Sequence, residues 1–226
     1  MDWSLIKNSL DERGFARVSG VLARPDCLRL QSMYGDPSLY RSVISMERYR
    51  FGRGEYKYFS YPLPGTVQEI REKFYVPLSE VANGWMERLD IDVRFPAEHA
   101  QFIGRCHEKD QRRPTPLILR YGEGGYNTLH QDLYGEVYFP FQVVFALGQE
   151  GDDYEGGEFV LVEQVPRAQS RAEVLRPDQG DALIFTTNFR PVKGTRGYYR
   201  ASMKHGISEV KKGVRFALGI IFHDAA

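Results

Sequence analysis

Two periodicities divide the chain. In the first half, apolar residues recur at three- and four-residue spacing. Trp3, Leu5, Ile6 and Leu10 follow it and stop at Gly14, which predicts a short amphipathic helix. A longer pattern runs from Thr66 to Leu89 through Val67, Ile70, Phe74, Leu78, Val81 and Trp85, with Pro77 as a break or kink. A third helix is expected over Pro96 to Asp110, since proline favours a first turn and Glu98 suits its positive end. After Pro116 the period shortens. Leu117-Ile118-Leu119, Gln142 to Leu147, Glu158 to Val162, Asp181 to Thr186 and Val214 to Phe222 are short β-rich runs separated by glycine, proline or acidic turns. No helix-length pattern interrupts them, so an antiparallel sandwich or jelly roll is expected rather than a parallel α/β sheet.

Composition narrows the class. The 30 Lys+Arg and 30 Asp+Glu give zero formal net charge, which excludes a histone-like binder driven by bulk counterion release. Hydrophobic residues at 42% and charged residues at 27% exclude disorder of the whole chain. At 226 residues, one domain of jelly-roll size with a helical annex is expected. Cys27 and Cys106 form no CxxC pair or disulfide framework, which suits a reduced, intracellular setting. The first eight residues lack a basic stretch followed by an apolar one, so no signal peptide is read. The most apolar run, Phe216 to Phe222, is too short to span a bilayer. The expectation is a soluble cytoplasmic protein with no membrane partner.

Candidate chemistry centres on His130-Gln131-Asp132, with His205 following 75 residues after His130. If residues 128 to 134 form a strand, the side chains at 130 and 132 project from one face, and a third ligand must come from a distant strand. Two histidines and one carboxylate on one side of a metal leave coordination positions open, as in non-haem Fe(II) oxygenases. His99, His107 and His223 have no such neighbourhood and read as satisfied or surface histidines; Cys106-His107 lacks the second pair a zinc site needs. Arg215 lies ten residues after His205. The intervening stretch reads strand, turn at Lys212-Gly213, strand, which returns Arg215 to the barrel of His205. A guanidinium there can grip a carboxylate in a two-pronged way, and Tyr121, nine residues before His130, can offer a phenol to the same carboxylate.

The order Arg120-Tyr121-Gly122-x-Gly124-Gly125, His130-x-Asp132, Gly156-Gly157-Glu158-Phe159, Gly180-Asp181-Ala182-Leu183-Ile184-Phe185 and His205…Arg215 resembles the 2-oxoglutarate/Fe(II)-dependent dioxygenase superfamily, nearest its prolyl-hydroxylase-like branch. The likeness covers residues 117 to 223. It implies a mainly β fold with an α annex: a double-stranded β-helix (jelly roll, cupin-like) catalytic core over 115–226, packed by N-terminal helices in a helical and irregular support region over 1–114. It makes His130, Asp132 and His205 the iron ligands. Arg215 becomes the partner of the distal carboxylate of 2-oxoglutarate, with Tyr121 as companion, while the Gly156-Gly157 and Gly180–Phe185 segments read as turn and core. The implied reaction consumes 2-oxoglutarate and O2, hydroxylates a C–H bond and releases succinate and carbon dioxide.

The implied substrate draws on charge distribution. From Ala182 to Ser208 there are five basic residues (Arg190, Lys193, Arg196, Arg200, Lys204) and no acidic one. From Arg41 to Lys57 there are five basic and two acidic residues, interleaved with Tyr49, Phe51 and Tyr56. Basic groups alternating with aromatics suit phosphate contact and base stacking, and a flipped or single-stranded alkylated base is a workable substrate. Glu150, Asp152, Asp153, Glu155 and Glu158 form an acidic run that reads as a solvated loop. The Tyr198 to Asp224 segment resembles prokaryotic oxygenases thought to act on damaged nucleic acid, which implies N-methyl hydroxylation with loss of formaldehyde on DNA or RNA. Position 119 is leucine, where well-studied alkylated-base demethylases carry asparagine. A hydroxylase of a protein side chain, peptide or amino acid is the alternative reaction. A non-enzymatic cupin-like binding protein is the alternative of another class, and the Arg215 spacing argues against it. Residues 41–61 read either as a lid over the site or as a plain surface hairpin.

Overall fold

The computed structural model describes residues 1–226. Its first helix is fixed by its ends. The Asp2 carboxylate accepts from the backbone N–H groups of Ser4 (3.0 Å) and Leu5 (3.4 Å), capping α1 (Trp3–Arg13). Gly14 closes it in the left-handed region at φ 76°. Ile6 and Leu10 are buried while Leu5 points outward, 66% exposed. Two short helices, α2 (Arg24–Met33) and α3 (Met46–Tyr49), precede the long α4 (Gly65–Arg88) and then α5 (His99–Glu108). Pro77 does not break α4. A proline removes one i−4 hydrogen bond, and the carbonyl it leaves free belongs to Lys73 on the exposed side.

Strands account for much of the first half as well, which the pattern analysis reads as helical and irregular. These are β1 (Phe15–Val18), β2 (Tyr40–Ser45), β3 (Gly52–Arg53) and β4 (Glu55–Phe59). The second half supplies β5 (Leu117–Tyr121), β6 (Tyr126–His130), β7 (Phe141–Ala146), β8 (Tyr154–Gly156), β9 (Phe159–Gln164), β10 (Arg171–Leu175), β11 (Ala182–Thr186), β12 (Phe189–Gly194), β13 (Gly197–Ile207), β14 (Val210–Gly213) and β15 (Arg215–Ile221). All pairings are antiparallel, as expected. The major sheet has the order β1-β11-β7-β15-β5-β4-β2; the minor sheet runs β10-β9-β13-β6-β3, with β12 also on β13. First-half strands therefore complete both sheets. Residues 41–61 contain a β2–β4 hairpin, and it is built into the fold: β4 joins it to the major sheet through β5, and β3 pairs with β6.

The major sheet is apolar on both faces. Its outer face (Ile118, Val143, Phe145, Ile184, Leu218, Ile220) packs on α4 through Phe74, Leu78 and Trp85. Each such fully buried side chain contributes roughly 1.5–3 kcal/mol. Its inner face (Tyr121, Val144, Leu183, Phe185, Ala217) meets Phe159, Leu161, Met203 and Ile207 of the minor sheet. The end of β15 is pinned by Arg71 of α4, which is fully buried. Its guanidinium donates to the carbonyls of Ile221, Phe222 and His223 at 3.0, 3.1 and 3.2 Å and to the Asp224 carboxylate at 2.9 Å. No helix is long and apolar enough to cross a membrane.

Candidate active site

His130 and His205 face one another because β6 and β13 pair in register at these two residues. Their rings lie 4.2 Å apart. Asp132 joins them from outside the strand. β6 ends at His130, so the expected strand over 128–134 is cut short. The reason is a competing partner: next along β13 the N–H of Met203 donates to Asn188 at 2.7 Å and β12 takes over the edge. Gln131 fills the junction, its amide donating to the carbonyls of Asn188 (2.9 Å) and Met203 (2.8 Å). Asp132 Oδ2 lies 3.3 Å from His205 Nε2 and Oδ1 3.6 Å from His130 Nε2, and the three potential ligand atoms fall within 4.8 Å of one another.

The protonation states suit a metal. His130 donates from Nδ1 to the Thr128 carbonyl at 2.7 Å, which leaves Nε2 with its lone pair. Burial and the adjacent His130 push the His205 imidazole toward its neutral form against the pull of Asp132. Burial opposes ionisation of Asp132, yet the His205 hydrogen bond and both imidazoles hold its carboxyl well below the usual range. The Tyr134 hydroxyl also donates to Asp132. His205 takes its orientation from aromatic packing instead, 4.8 Å from the Phe185 ring and stacked at 5.8 Å on Phe159.

The same cavity, about 210 Å³, reaches Tyr121 and Arg215 on the major sheet. Arg215 pairs with Tyr121 across β15 and β5 and is 2% exposed. Its Nε and Nη1 have no hydrogen-bond partner; the rings of Tyr121 and Tyr154 lie 5.8 and 5.9 Å from the guanidinium carbon. The Tyr121 hydroxyl accepts from Asn127 at 3.5 Å. Gly157, which reads as a plain turn, has a further role. At φ +63°, a Cβ on it would come within 2.9 Å of Arg215 Cδ, so its bare backbone makes room for the guanidinium. Lys212 and Gly213 are not the turn expected of them: they lie in β14, paired to β8.

The structure therefore brings all five expected residues to one cavity, two histidines and the aspartate toward one part and Arg215 with Tyr121 at another. Three contributors are absent from the sequence reading. Tyr134 is signalled only by standing two residues after Asp132. Gln131 is hidden between two more conspicuous side chains. Tyr154 depends on the β8–β14 pairing, which leaves no local mark. The remaining histidines are structural: His99 bonds the Phe222 carbonyl at 2.8 Å and His107 the Asp224 carboxylate at 3.0 Å, while His223 accepts from the Phe139 N–H at 3.2 Å.

Three of the five residues of the acidic run have ion-pair partners, Glu158 and Glu150 sharing Arg176 at 2.9 and 3.8 Å and Glu155 meeting Lys212 at 3.5 Å, while Asp152 and Asp153 are exposed. Of the 182–208 cluster, Arg190 is tied to Glu163, while Lys193, Arg196, Arg200 and Lys204 are exposed. In the other cluster Arg41 and Lys57 are bound to backbone carbonyls, leaving Arg48, Arg50 and Arg53 exposed. These three flank Phe51, which lines the cavity, is 46% exposed and stacks on Tyr49 at 5.5 Å.

Comparison with known proteins agrees with this geometry. An uncharacterized protein of Mycobacterium tuberculosis, present in two strains, is 39% identical over 197 residues, spanning 87% of this chain and 79% of its own. A Burkholderia pseudomallei oxidoreductase of the 2OG-Fe(II) oxygenase family superposes with a TM-score of 0.59 at 13% identity, covering 100% of this chain and 94% of its own. A Pseudomonas putida prolyl-4-hydroxylase gives 0.54 at 10% identity, with 99% of each chain covered. A Trichoplax adhaerens prolyl hydroxylase, solved with a hypoxia-inducible-factor peptide fragment, gives 0.55 at 14%, covering 97% and 87%. These structures share the fold, the jelly-roll core expected from the motifs. Residues 54–225, which include Tyr121, His130, Asp132, His205 and Arg215, match a family described as an oxygenase catalysing oxidative methylation of damaged DNA, and the chain belongs to that oxygenase family.

Proposed function

We propose that the protein is an Fe(II)- and 2-oxoglutarate-dependent dioxygenase that oxidatively demethylates N-alkylated single-stranded nucleic acid, releasing succinate, carbon dioxide and formaldehyde. One observation carries the reaction: the half-buried His130 and the buried Asp132 and His205 share a cavity with a buried Arg215 whose Nε and Nη1 have no partner. Two imidazoles and a carboxylate suit Fe(II) and leave positions open, and a guanidinium with two unpartnered nitrogens calls for a carboxylate that the protein does not provide.

Bound together, Fe(II) and 2-oxoglutarate supply oxygen activation and oxidative decarboxylation. The chain supplies the rest. His130, Asp132 and His205 hold the metal, with Thr128 and Tyr134 fixing the directions of His130 and Asp132. Arg215 grips the distal carboxylate beside Tyr121. Leu119, Phe159 and Phe185 line the cavity and exclude water, so the neighbour of Tyr121 that is asparagine in well-studied demethylases is here an apolar wall. Family membership as an oxygenase removes the non-catalytic alternative. The buried free thiols of Cys27 and Cys106 suit the reducing cytoplasm, where we place the protein.

Nucleic acid as substrate is supported by the family's description and by the rim. The stacked Tyr49–Phe51 pair offers a base-stacking surface and Arg48, Arg50 and Arg53 offer phosphate contacts. The test compares succinate formation with N-methylated single-stranded DNA, the unmethylated strand and proline-containing peptides. Stimulation by the methylated strand alone is expected, and its absence at low salt would remove the substrate assignment. His130→Ala and Asp132→Ala should abolish succinate formation with the circular dichroism unchanged; turnover in either variant would remove the iron assignment.

A further inference from the structure

Gln142 is a buried amide with nothing to bind. It sits on β7, 5% exposed, lines the cavity, and its Nε2 has no hydrogen-bond partner. Buried donors are rarely left so unless another molecule satisfies them. Its place follows from register. Gln142 pairs with Ile221 of β15 on one side and with Phe185 of β11 on the other, and the Phe185 ring lies 4.8 Å from His205. Arg215 is six residues before Ile221 on β15, about 20 Å along the strand. The two unsatisfied groups thus stand at opposite ends of the cavity, and His205 is at the Gln142 end.

A five-carbon keto-diacid gripped at Arg215 extends toward the His130–Asp132–His205 group. The space at the Gln142 end is left for the molecule whose C–H bond is oxidised. Aromatic rings border this end: Phe185 is the β11 neighbour of Gln142, and Tyr134 lines the same cavity. A carboxamide beside aromatic faces offers one donor edge and one acceptor, the complement of a nucleobase edge. Enzymes that act on a flipped base read it by edge hydrogen bonds and by stacking.

We propose that Gln142 is the specificity-determining contact to the primary substrate: its carboxamide hydrogen-bonds the edge of an N-methylated nucleobase and presents the methyl group to the His130–Asp132–His205 group. This rests on the proposed reaction and names the residue that selects its substrate.

The test uses Q142L and Q142M, which remove the amide at similar volume and should fold because an apolar replacement leaves no unsatisfied group. Q142E keeps an acceptor and loses the donor. Binding is measured with a labelled single-stranded oligonucleotide carrying one cytosine methylated at N3, against the unmethylated strand, with manganese(II) and 2-oxoglutarate present. Wild-type protein should prefer the methylated strand. All three variants should lose that preference by about ten-fold, and in turnover the oligonucleotide KM should rise far more than the 2-oxoglutarate KM. A preference retained within three-fold in Q142L and Q142M overturns the inference. So does a rise confined to the 2-oxoglutarate KM, which would assign the amide to the cosubstrate. If wild-type protein forms succinate yet shows no preference for the methylated strand, the inference falls while the iron and 2-oxoglutarate reading stands. If wild-type protein forms no succinate at all, the reaction itself is wrong and the inference falls with it.

Discussion

Replacing Arg215 by methionine should move stability and affinity in opposite directions. In the protein without ligand the guanidinium is 2% exposed, Nε and Nη1 are unpartnered, and its neighbours are the Tyr121 and Tyr154 rings. A buried cation without a counter-charge costs several kcal/mol of lost hydration, and each cation–π contact returns about 1–2 kcal/mol. Methionine keeps the length and apolar volume and removes the charge, so the unliganded variant should gain on the order of 1–3 kcal/mol. At this chain length that raises Tm by about 2–4 °C per kcal/mol. Binding loses the opposite term. Truncating one partner of a buried hydrogen-bonded charge pair costs about 2–5 kcal/mol, which weakens 2-oxoglutarate binding at least thirty-fold. Thermal melts with and without 2-oxoglutarate and manganese(II), together with calorimetric titration of 2-oxoglutarate, read both quantities. A lower Tm in the unliganded variant would mean that Arg215 is a structural residue. A Kd within three-fold of wild type would refute its assignment as the carboxylate anchor.

Tyr134→Phe removes the hydroxyl that orients Asp132, and metal affinity should fall about 10–100-fold with the fold intact, measured by titration with manganese(II) or cobalt(II); unchanged affinity would show that the aspartate is oriented without it. Gly157→Ala places a methyl 2.9 Å from Arg215 Cδ at φ +63°, so it should destabilise the chain by about 1–2 kcal/mol and raise the 2-oxoglutarate KM; a lower Tm with an unchanged KM would separate this glycine from the anchor. His99 should contribute to acid unfolding: burial and then the Arg71 charge push its pKa down to about 3, against Asp224 and its bond to Phe222. Because the folded pKa lies below the unfolded value near 6.5, the unfolded chain binds the extra proton and stability falls as pH drops from about 6.5 toward 3. His99→Gln, which does not titrate, should flatten that limb in denaturant titrations at stepped pH, and an unaltered limb would refute the assignment.

What the sequence discloses depends on how local each feature is. The His130-x-Asp132 spacing and the Arg215 position after His205 are short-range and could be read directly. The strand holding His130 ends early because β12, from 59 residues downstream, occupies the next positions on β13, and no local pattern reports such a competitor. The strands Tyr40–Ser45 and Glu55–Phe59 carry no clean alternation, because charged and small residues interrupt it and β2 lies at the sheet edge. The acidic run is solvated at Asp152, Asp153 and Glu155, as it reads, and only the pairing of Glu150 and Glu158 with Arg176 and of Glu155 with Lys212 comes from distant residues that leave no local mark. Zero net charge therefore conceals a partly paired acidic loop and an unpaired basic rim.

The His130–Asp132–His205 group stands on the minor sheet and its following loop, whereas Arg215 stands on the major sheet. These two layers meet beside the site through apolar contacts such as Phe159 on Phe185, 4.9 Å apart, which resist separation but have little directional grip. A metal and a dicarboxylate bound together would act as a strut from one layer to the other. Occupancy of the cavity would then be felt as stiffness of the whole sandwich, and amides of β13 and β15 should exchange more slowly as a pair once both components are bound.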